Sequence, residues 1–356
     1  MPMHPALQAQ PLAPVLDLLF APDPEPALQA LVSAGLLQPE QLPAWRTARR
    51  PVGRAADNGD LATQAKLLVD AQAGQRGKLA PSEPLAVLGQ LLPLLQAAHS
   101  QGLALNAAAR ASQRVLDLGA GLFYPLSTAA LLHANGVGEA WAYEPFAVQP
   151  EFAEAALLEL QRAVAREPER FRCFPDSPPA PELKARLACL DLHRLAERIE
   201  ELNQGRCERV DLGGVSLFQR PAALPEQQLD WVFSNSVLEH IDDLAGALAW
   251  QRRLLKPGGW AFHTVDFVDH RHYFDRSLHP LQCLFDGVLD AINGLRPSQM
   301  EALFMGAGFA CYKRQKLQLP AGLLDAAPPF APRFEALRGR PELYEWVNGY
   351  LLRSPG

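Results

Sequence analysis

The chain has 356 residues, 48% of them apolar and 20% charged, which supplies a sizeable core for one α/β domain with additions. A net charge of −6 with no long basic face argues against a nucleic-acid surface, since the densest basic group, Arg46, Arg49, Arg50 and Arg54, reads as a solvated helix end. The five cysteines are scattered without a C-x-x-C pair, no apolar run approaches the ~18 residues of a membrane span, and Met1 to Pro14 lacks signal-peptide blocks, so the expectation is a cytoplasmic protein with reduced thiols and no membrane partner.

The first 110 or so residues carry helical patterns broken by prolines. The spacing predicts helices over Pro26 to Ala34, Gln41 to Arg49, Leu61 to Ala73 and Pro84 to Ser100, the last with a kink at Pro93. Residues 1–111 are therefore read as a helical N-terminal extension to a domain over 112–356.

Val115-Leu116-Asp117-Leu118-Gly119-Ala120-Gly121 is an apolar run that ends in an acid and two glycines. It reads as a buried parallel strand entering a tight turn and a helix, with Pro125 in the first helical turn. A dinucleotide fingerprint needs a third glycine where Tyr124 stands, which weakens the NAD reading. Ala140 to Glu144 reads as the second strand, and its terminal carboxylate suits the two hydroxyls of a ribose.

Between Glu144 and the next strand, helices over Glu151 to Arg166 and Pro181 to Asn203 form an insertion at about 146–208. Leu229 to Asn235 is the next apolar strand. A helix then opens with Leu238, Ile241, Leu244, Ala245 and Leu248 on one face, runs to Lys256 and stops at Pro257-Gly258-Gly259 before the strand Trp260 to Val265. His263 inside that strand and Asp266, Asp269, His270 and His272 after it form a dense run, but His263 is held in the strand and the spacing matches no helical ligand pair, so no metal site is expected. A helix opens at Arg296-Pro297-Ser298, a strand spans Cys311 to Leu317, a helix and loop cover Pro332 to Val347, and Gly349 to Pro355 is extended.

The order of these parts resembles class I S-adenosylmethionine-dependent methyltransferases, whose core reads LDLGxG, an acid-ended strand, SNxxLEH and LKPGG. The matches here are Leu116 to Gly121, Glu144, Ser234 to His240 and Leu255 to Gly259. The resemblance covers roughly Ser112 to Val265 and resumes at Leu295 to Phe309. It implies a Rossmann-like seven-stranded sheet, mostly parallel with the last strand antiparallel, helices on both faces, and the N-terminal extension as a substrate cap or dimer contact. It also implies S-adenosyl-L-methionine as cofactor, held by Asp117, Gly119, Ala120, Gly121, Phe123, Glu144, Asn235 and Ser236. Phe123 replaces the family's usual third glycine, so its ring either lines the pocket near the sulfonium or packs under the helix. The acid many relatives place near the adenine is absent, as Arg220 to Pro225 stands there.

Methyl transfer from a sulfonium requires alignment and, for a hydroxyl acceptor, removal of a proton. His240, Asp266 and His270 are the candidate catalytic groups, with Asp269 fixing a histidine tautomer. The family's Pro-Pro-aromatic amino-group clamp is missing after Asn235, which turns the reading toward O-methylation of a small molecule, a sugar hydroxyl being the first guess. N-methylation of a small amine, a non-catalytic binding module and, behind both, a nicotinamide oxidoreductase are the alternatives. The partners expected are a small-molecule substrate and, through the extension or the insertion, a second copy of the chain.

Overall fold

The computed structural model describes residues 82–356, apart from 122–123, 275–276, 290–291, 321 and 326, together with isolated positions between 25 and 39. The helices read over 41–49 and 61–73 lie outside the described residues, as does Phe123; of the helix over 26–34, Gln29, Val32 and Ser33 are described and helical. The described chain forms two units, one built from Ala80–Phe267, Leu295–Ala327 and Gly339–Gly356, the other including Val268–Gly294 and Pro328–Arg338.

The larger unit is organised on one sheet. Its strands are β1 (Arg114–Leu118), β2 (Glu139–Tyr143), β3 (Arg209–Asp211), β4 (Val215–Phe218), β5 (Leu229–Asn235), β6 (Leu255–Asp266), β7 (Ala310–Gln318) and β8 (Glu345–Arg353). They lie in the order β3-β4-β2-β1-β5-β6-β8-β7. β1 pairs in parallel with β2 and β5, β2 with β4, and β5 with β6, whereas β8 runs antiparallel to both β6 and β7. The strand order reverses at β1, so β1 and β5 diverge toward a crevice at their carboxyl ends, the place where open α/β sheets bind ligands.

Among the described residues the sheet has eight strands, where seven were expected. The extra one is β3, a three-residue edge strand that folds back antiparallel on β4 through Leu212, Gly213 and Gly214. Only Val210 of β3 is buried, so its apolar pattern is too short to read as a strand.

Helices cover both faces. The main ones are α1 (Ser82–His99), α2 (Ser127–Ala134), α3 (Pro150–Arg166), α4 (Ala180–Ala188), α5 (Leu195–Asn203), α6 (Leu244–Leu254) and α7 (Pro297–Gly306). One apolar core joins Leu88, Leu91 and Leu95 of α1, the α2 residues Ala129 to Leu132 and the insertion's Leu157, Leu183 and Ile199 to Val115, Trp231 and Phe262 of the sheet. The other packs Leu244 and Leu248 of α6 and Met300 and Phe304 of α7 against Leu116, Val232, Ala261 and Tyr350. Helix α1, read as the end of the extension, contacts β5, β6 and β8 directly.

Several element ends differ from the sequence reading. The helix expected from Leu238 to Lys256 is a short 3-10 turn over Leu238–His240 followed by α6, because the Asp243 carboxylate accepts the Gly246 N–H at 2.9 Å and so caps the helix start. Pro257-Gly258-Gly259 falls inside the extended segment β6, where the pairing with β5 shifts register between Leu229 and Trp231. The helix expected over Pro181 to Asn203 is split into α4 and α5, since Asp191 N–H leaves the helix to bond Leu212 O and Arg194 adopts a left-handed conformation at φ 51°. Pro125 sits in a turn just ahead of α2. The helix and loop expected over 332–347 are two 3-10 turns, Pro332–Leu337 and Pro341–Tyr344, leading into β8.

In the smaller unit, Asp269 is fully buried and pairs with Arg271 at 2.6 Å, which also reaches Asp286 at 3.0 Å. His272 Nδ1 lies 2.7 Å from Leu278 O. Phe285 meets Phe330 at 5.4 Å between ring centroids, and the Ala331 N–H donates to Leu284 O at 2.8 Å.

Candidate functional site

The glycine turn leaves β1 beside the end of β2. Gly119 N–H and Ala120 N–H both donate to Tyr143 O, at 2.9 and 3.1 Å, and Gly121 N–H donates to Glu144 Oε2 at 2.9 Å. The Phe146 N–H reaches the other carboxylate oxygen at 3.3 Å. The turn's amides are thus engaged within the protein, and what it offers a ligand is the Glu144 carboxylate and the open face at Gly121.

The two glycines do different work. Gly119 has φ 69°, and a Cβ added there would lie 2.5 Å from Val237 Cγ2, so it is required by close approach of the chain. Gly121 has φ 89°, and an added Cβ would meet nothing within 4 Å. Its side is space against which a ligand can lie.

Two buried acids face this turn. Asp117 is 6% exposed and Glu144 5%. Burial pushes the Glu144 carboxyl up to about 7, against the downward pull of the Gly121 and Phe146 amides. Burial first and then the charge of Glu144 push Asp117 well above the usual carboxylate range. Burial also raises the Tyr143 phenol to about 12, with Glu144 adding to it. Among the described residues no basic side chain pairs with either acid. Buried carboxyls without an internal counter-ion suit a cationic ligand, and this donor set fits a sulfonium nucleoside better than a dinucleotide diphosphate.

The neighbouring crevice is lined from β5 and β6. Asn235 ends β5, half-buried, in register with Thr264. Ser236 takes a left-handed conformation at φ 56°, and its N–H donates to Thr264 O at 2.8 Å. That bend directs the chain into the 3-10 turn carrying Glu239 and the half-buried His240, whose N–H donates to Val237 O at 2.9 Å. Asp266 closes β6 at 9% exposure. His270 lies in the smaller unit, half-buried, one residue beyond Asp269. Asp269 is held by Arg271, which accounts for its burial without a histidine partner.

Glu239 was not singled out from the sequence, where it stood only as part of the LEH motif. It is 3% exposed, its Oε1 accepts the Asp266 N–H at 3.1 Å, and its Oε2 has no hydrogen-bond partner. Burial, and secondarily the charge of Asp266, push its carboxyl well above the ordinary range. His263, read as lying inside the strand, is fully buried in β6 with Nδ1 2.8 Å from Ser234 Oγ. Burial lowers it to about 3, which keeps it neutral and makes it a weak base.

Two clefts, of 380 and 480 Å3, open at the opposite end of the sheet, around Arg114, Glu139 and Gln228. Their charged groups are already paired: Arg114 with Glu139 at 2.7 Å and Lys256 with Asp230 at 2.8 Å. Size alone therefore does not locate the site. Chemistry gathers at the carboxyl ends of β1, β2, β5 and β6.

The described cysteines are free thiols. No helix among the described residues is long and apolar enough to cross a membrane.

Comparison with known proteins agrees with the geometry. The family model described as a methyltransferase domain matches residues 94–313, well over half of the chain. No curated protein matches significantly. Among solved structures, the YcgJ protein of Bacillus subtilis is similar at 15% identity and a TM-score of 0.37, over 69% of this chain and 94% of that one. An S-adenosylmethionine-dependent methyltransferase from Mesorhizobium loti is similar at 14% identity and a TM-score of 0.34, over 68% and 91%. Phosphoethanolamine N-methyltransferase 2 of Haemonchus contortus, in complex with S-adenosyl-L-methionine, is similar at 14% and 0.35, over 74% of this chain and 52% of that one. The family assignment rests on the family-model match together with the glycine turn and its acids, and by it the chain belongs to the methyltransferase domain family as a class I S-adenosylmethionine-dependent methyltransferase.

Proposed function

We propose that this enzyme methylates a hydroxyl group of a small molecule, with a sugar or a natural product as the acceptor class. The observation that supports it is the buried pair at the crevice, in which the Glu239 carboxyl accepts the Asp266 N–H and so fixes the end of β6 that carries the Asp266 carboxylate. An amine acceptor can react as its free base, whereas an alcohol must lose its proton as the new bond forms, and a carboxylate at the end of β6 suits that task.

In this reading Glu144 takes the ribose hydroxyls, and the open side of Gly121 admits the nucleoside. Asp117 supplies negative charge near the cationic end, and Asn235 and Ser236 line the side toward the acceptor. Bound S-adenosylmethionine supplies an activated methyl group, so the protein's work is alignment and proton removal. Asp266 takes the acceptor proton, with His240 and His270 the other two candidate bases. Residues 1–111 serve as the cap over the acceptor or as a contact with a second copy.

The test is transfer of labelled methyl from S-adenosylmethionine to panels of sugars, phenols and small amines. The proposal expects an alkali-stable ether product, and a loss of turnover on the order of 100-fold in Asp266→Asn. Labelled amines alone, or full turnover in Asp266→Asn, would overturn it.

A further inference from the structure

The two acids at the cofactor end carry an inference about how the enzyme distinguishes its cofactor from the spent product. Asp117 and Glu144 close the parallel strands β1 and β2, in adjacent register: Leu118 pairs with Tyr143, and Asp117 with Ala142. Both side chains are more than nine-tenths buried. Glu144 is fixed by two amides, Gly121 and Phe146, while Asp117 receives no hydrogen bond from a described basic group. The charge of Glu144 acts on Asp117 and on the Tyr143 phenol, which burial holds high enough to stay neutral. Two carboxyl groups on neighbouring strand ends, both removed from water and with no described basic partner, favour sharing a proton over ionising together.

We propose that Asp117 is a specificity-determining residue that, with Glu144, exchanges this proton for the sulfonium charge, so that S-adenosylmethionine binds with release of a proton and S-adenosylhomocysteine binds without it. The two ligands differ by one methyl group and one positive charge. When the cation enters, its charge favours the doubly ionised pair and one proton leaves to solvent. When the methyl group has been transferred, the thioether no longer balances that charge. The pair then takes a proton back, which weakens its hold on the product relative to the cofactor. The inference rests on the cofactor assignment and adds to it a charge test built into the strand ends.

The experiment is calorimetric titration of the full chain with each ligand at pH 6.5, where the amino groups of both are charged, in buffers of different ionisation enthalpy. The slope of observed heat against buffer ionisation enthalpy counts protons. The expected result is about one proton released with S-adenosylmethionine and about none with S-adenosylhomocysteine, and a ratio of the two affinities that shifts toward the cofactor by up to about tenfold per pH unit between pH 6 and 7. Asp117→Asn should reduce both the proton release and the pH dependence of the ratio. Equal proton counts for the two ligands in the wild-type protein would overturn the inference whether or not the variant folds, while leaving the cofactor assignment intact. No binding of either ligand would instead overturn the cofactor assignment, and the inference with it.

Discussion

Gly119 and Gly121 stand two residues apart in one turn, and alanine at the two positions should fail for different reasons. At Gly119 the added methyl carbon would sit 2.5 and 2.7 Å from the two γ-carbons of Val237, in a left-handed backbone conformation. The conformation costs about 1–2 kcal/mol, and forcing a methyl into filled space about 1–3 kcal/mol more. Gly119→Ala should therefore lose about 2–5 kcal/mol of stability. Gly121→Ala bears only the conformational part, about 1–2 kcal/mol, because nothing lies within 4 Å of its added carbon. Urea unfolding of both variants measures the difference, and Val237→Ala in the Gly119→Ala background should cost less than the sum of the single changes, since it removes the atoms in collision. Cofactor affinity should follow the opposite order once corrected for stability, with Gly121→Ala losing binding because its methyl occupies the ligand's space. Equal destabilisation by the two alanines, full additivity with Val237→Ala, or undiminished cofactor binding in Gly121→Ala would refute the reasoning.

Three further outcomes are expected. Glu144 is raised in the folded protein to about 7 from 4.5, so the folded state holds more protons than the unfolded chain and stability falls as pH rises between those values. The contribution is about 3 kcal/mol at most, and Glu144→Gln should flatten the fall in Tm over that window; a wild-type Tm that rises from pH 5 to 7 would contradict the assignment. Arg110 is fully buried, pairs with Asp176 at 2.6 Å and stacks 4.3 Å from the Phe174 ring centroid, so Arg110→Ala should destabilise by about 3 kcal/mol or more and expose the 171–178 segment to proteolysis. Thiol titration with a chromogenic disulfide should find one fast cysteine, the exposed Cys189, since burial raises Cys173 and Cys311 to about 12, burial and then the charge of Glu201 raise the half-buried Cys207, and Cys283 is enclosed. Two or more thiols reacting at the same fast rate would contradict this burial.

Much of the sheet was legible because its strands are continuous apolar runs with abrupt ends, as strands covered on both faces must be. The turn at Gly119 to Gly121 and the acid at Glu144 were readable from residue type alone, and the structure brings them together through the Tyr143 carbonyl and the Glu144 carboxylate. The element ends were less legible where side chains decide them. Asp243 looks like one acid among several in sequence, yet its capping bond separates the turn at Glu239 from α6. The insertion's break depends on the Leu212 carbonyl, 21 residues away, and no local pattern announces it. Glu239 itself carries a charge that sequence patterns assign to the surface, and only the packing of the 3-10 turn under β6 reveals that it is buried. A buried acid in a short motif next to two apolar residues, Val237 and Leu238, is the signal that was present but ambiguous.

The most direct test of the central claim is calorimetric titration of the full chain with S-adenosylmethionine and S-adenosylhomocysteine, with NAD as control, repeated on Glu144→Ala. The account predicts micromolar binding of the first two ligands, none of NAD, and affinity lost in the variant. Binding of NAD, or cofactor affinity unchanged in Glu144→Ala, would contradict it.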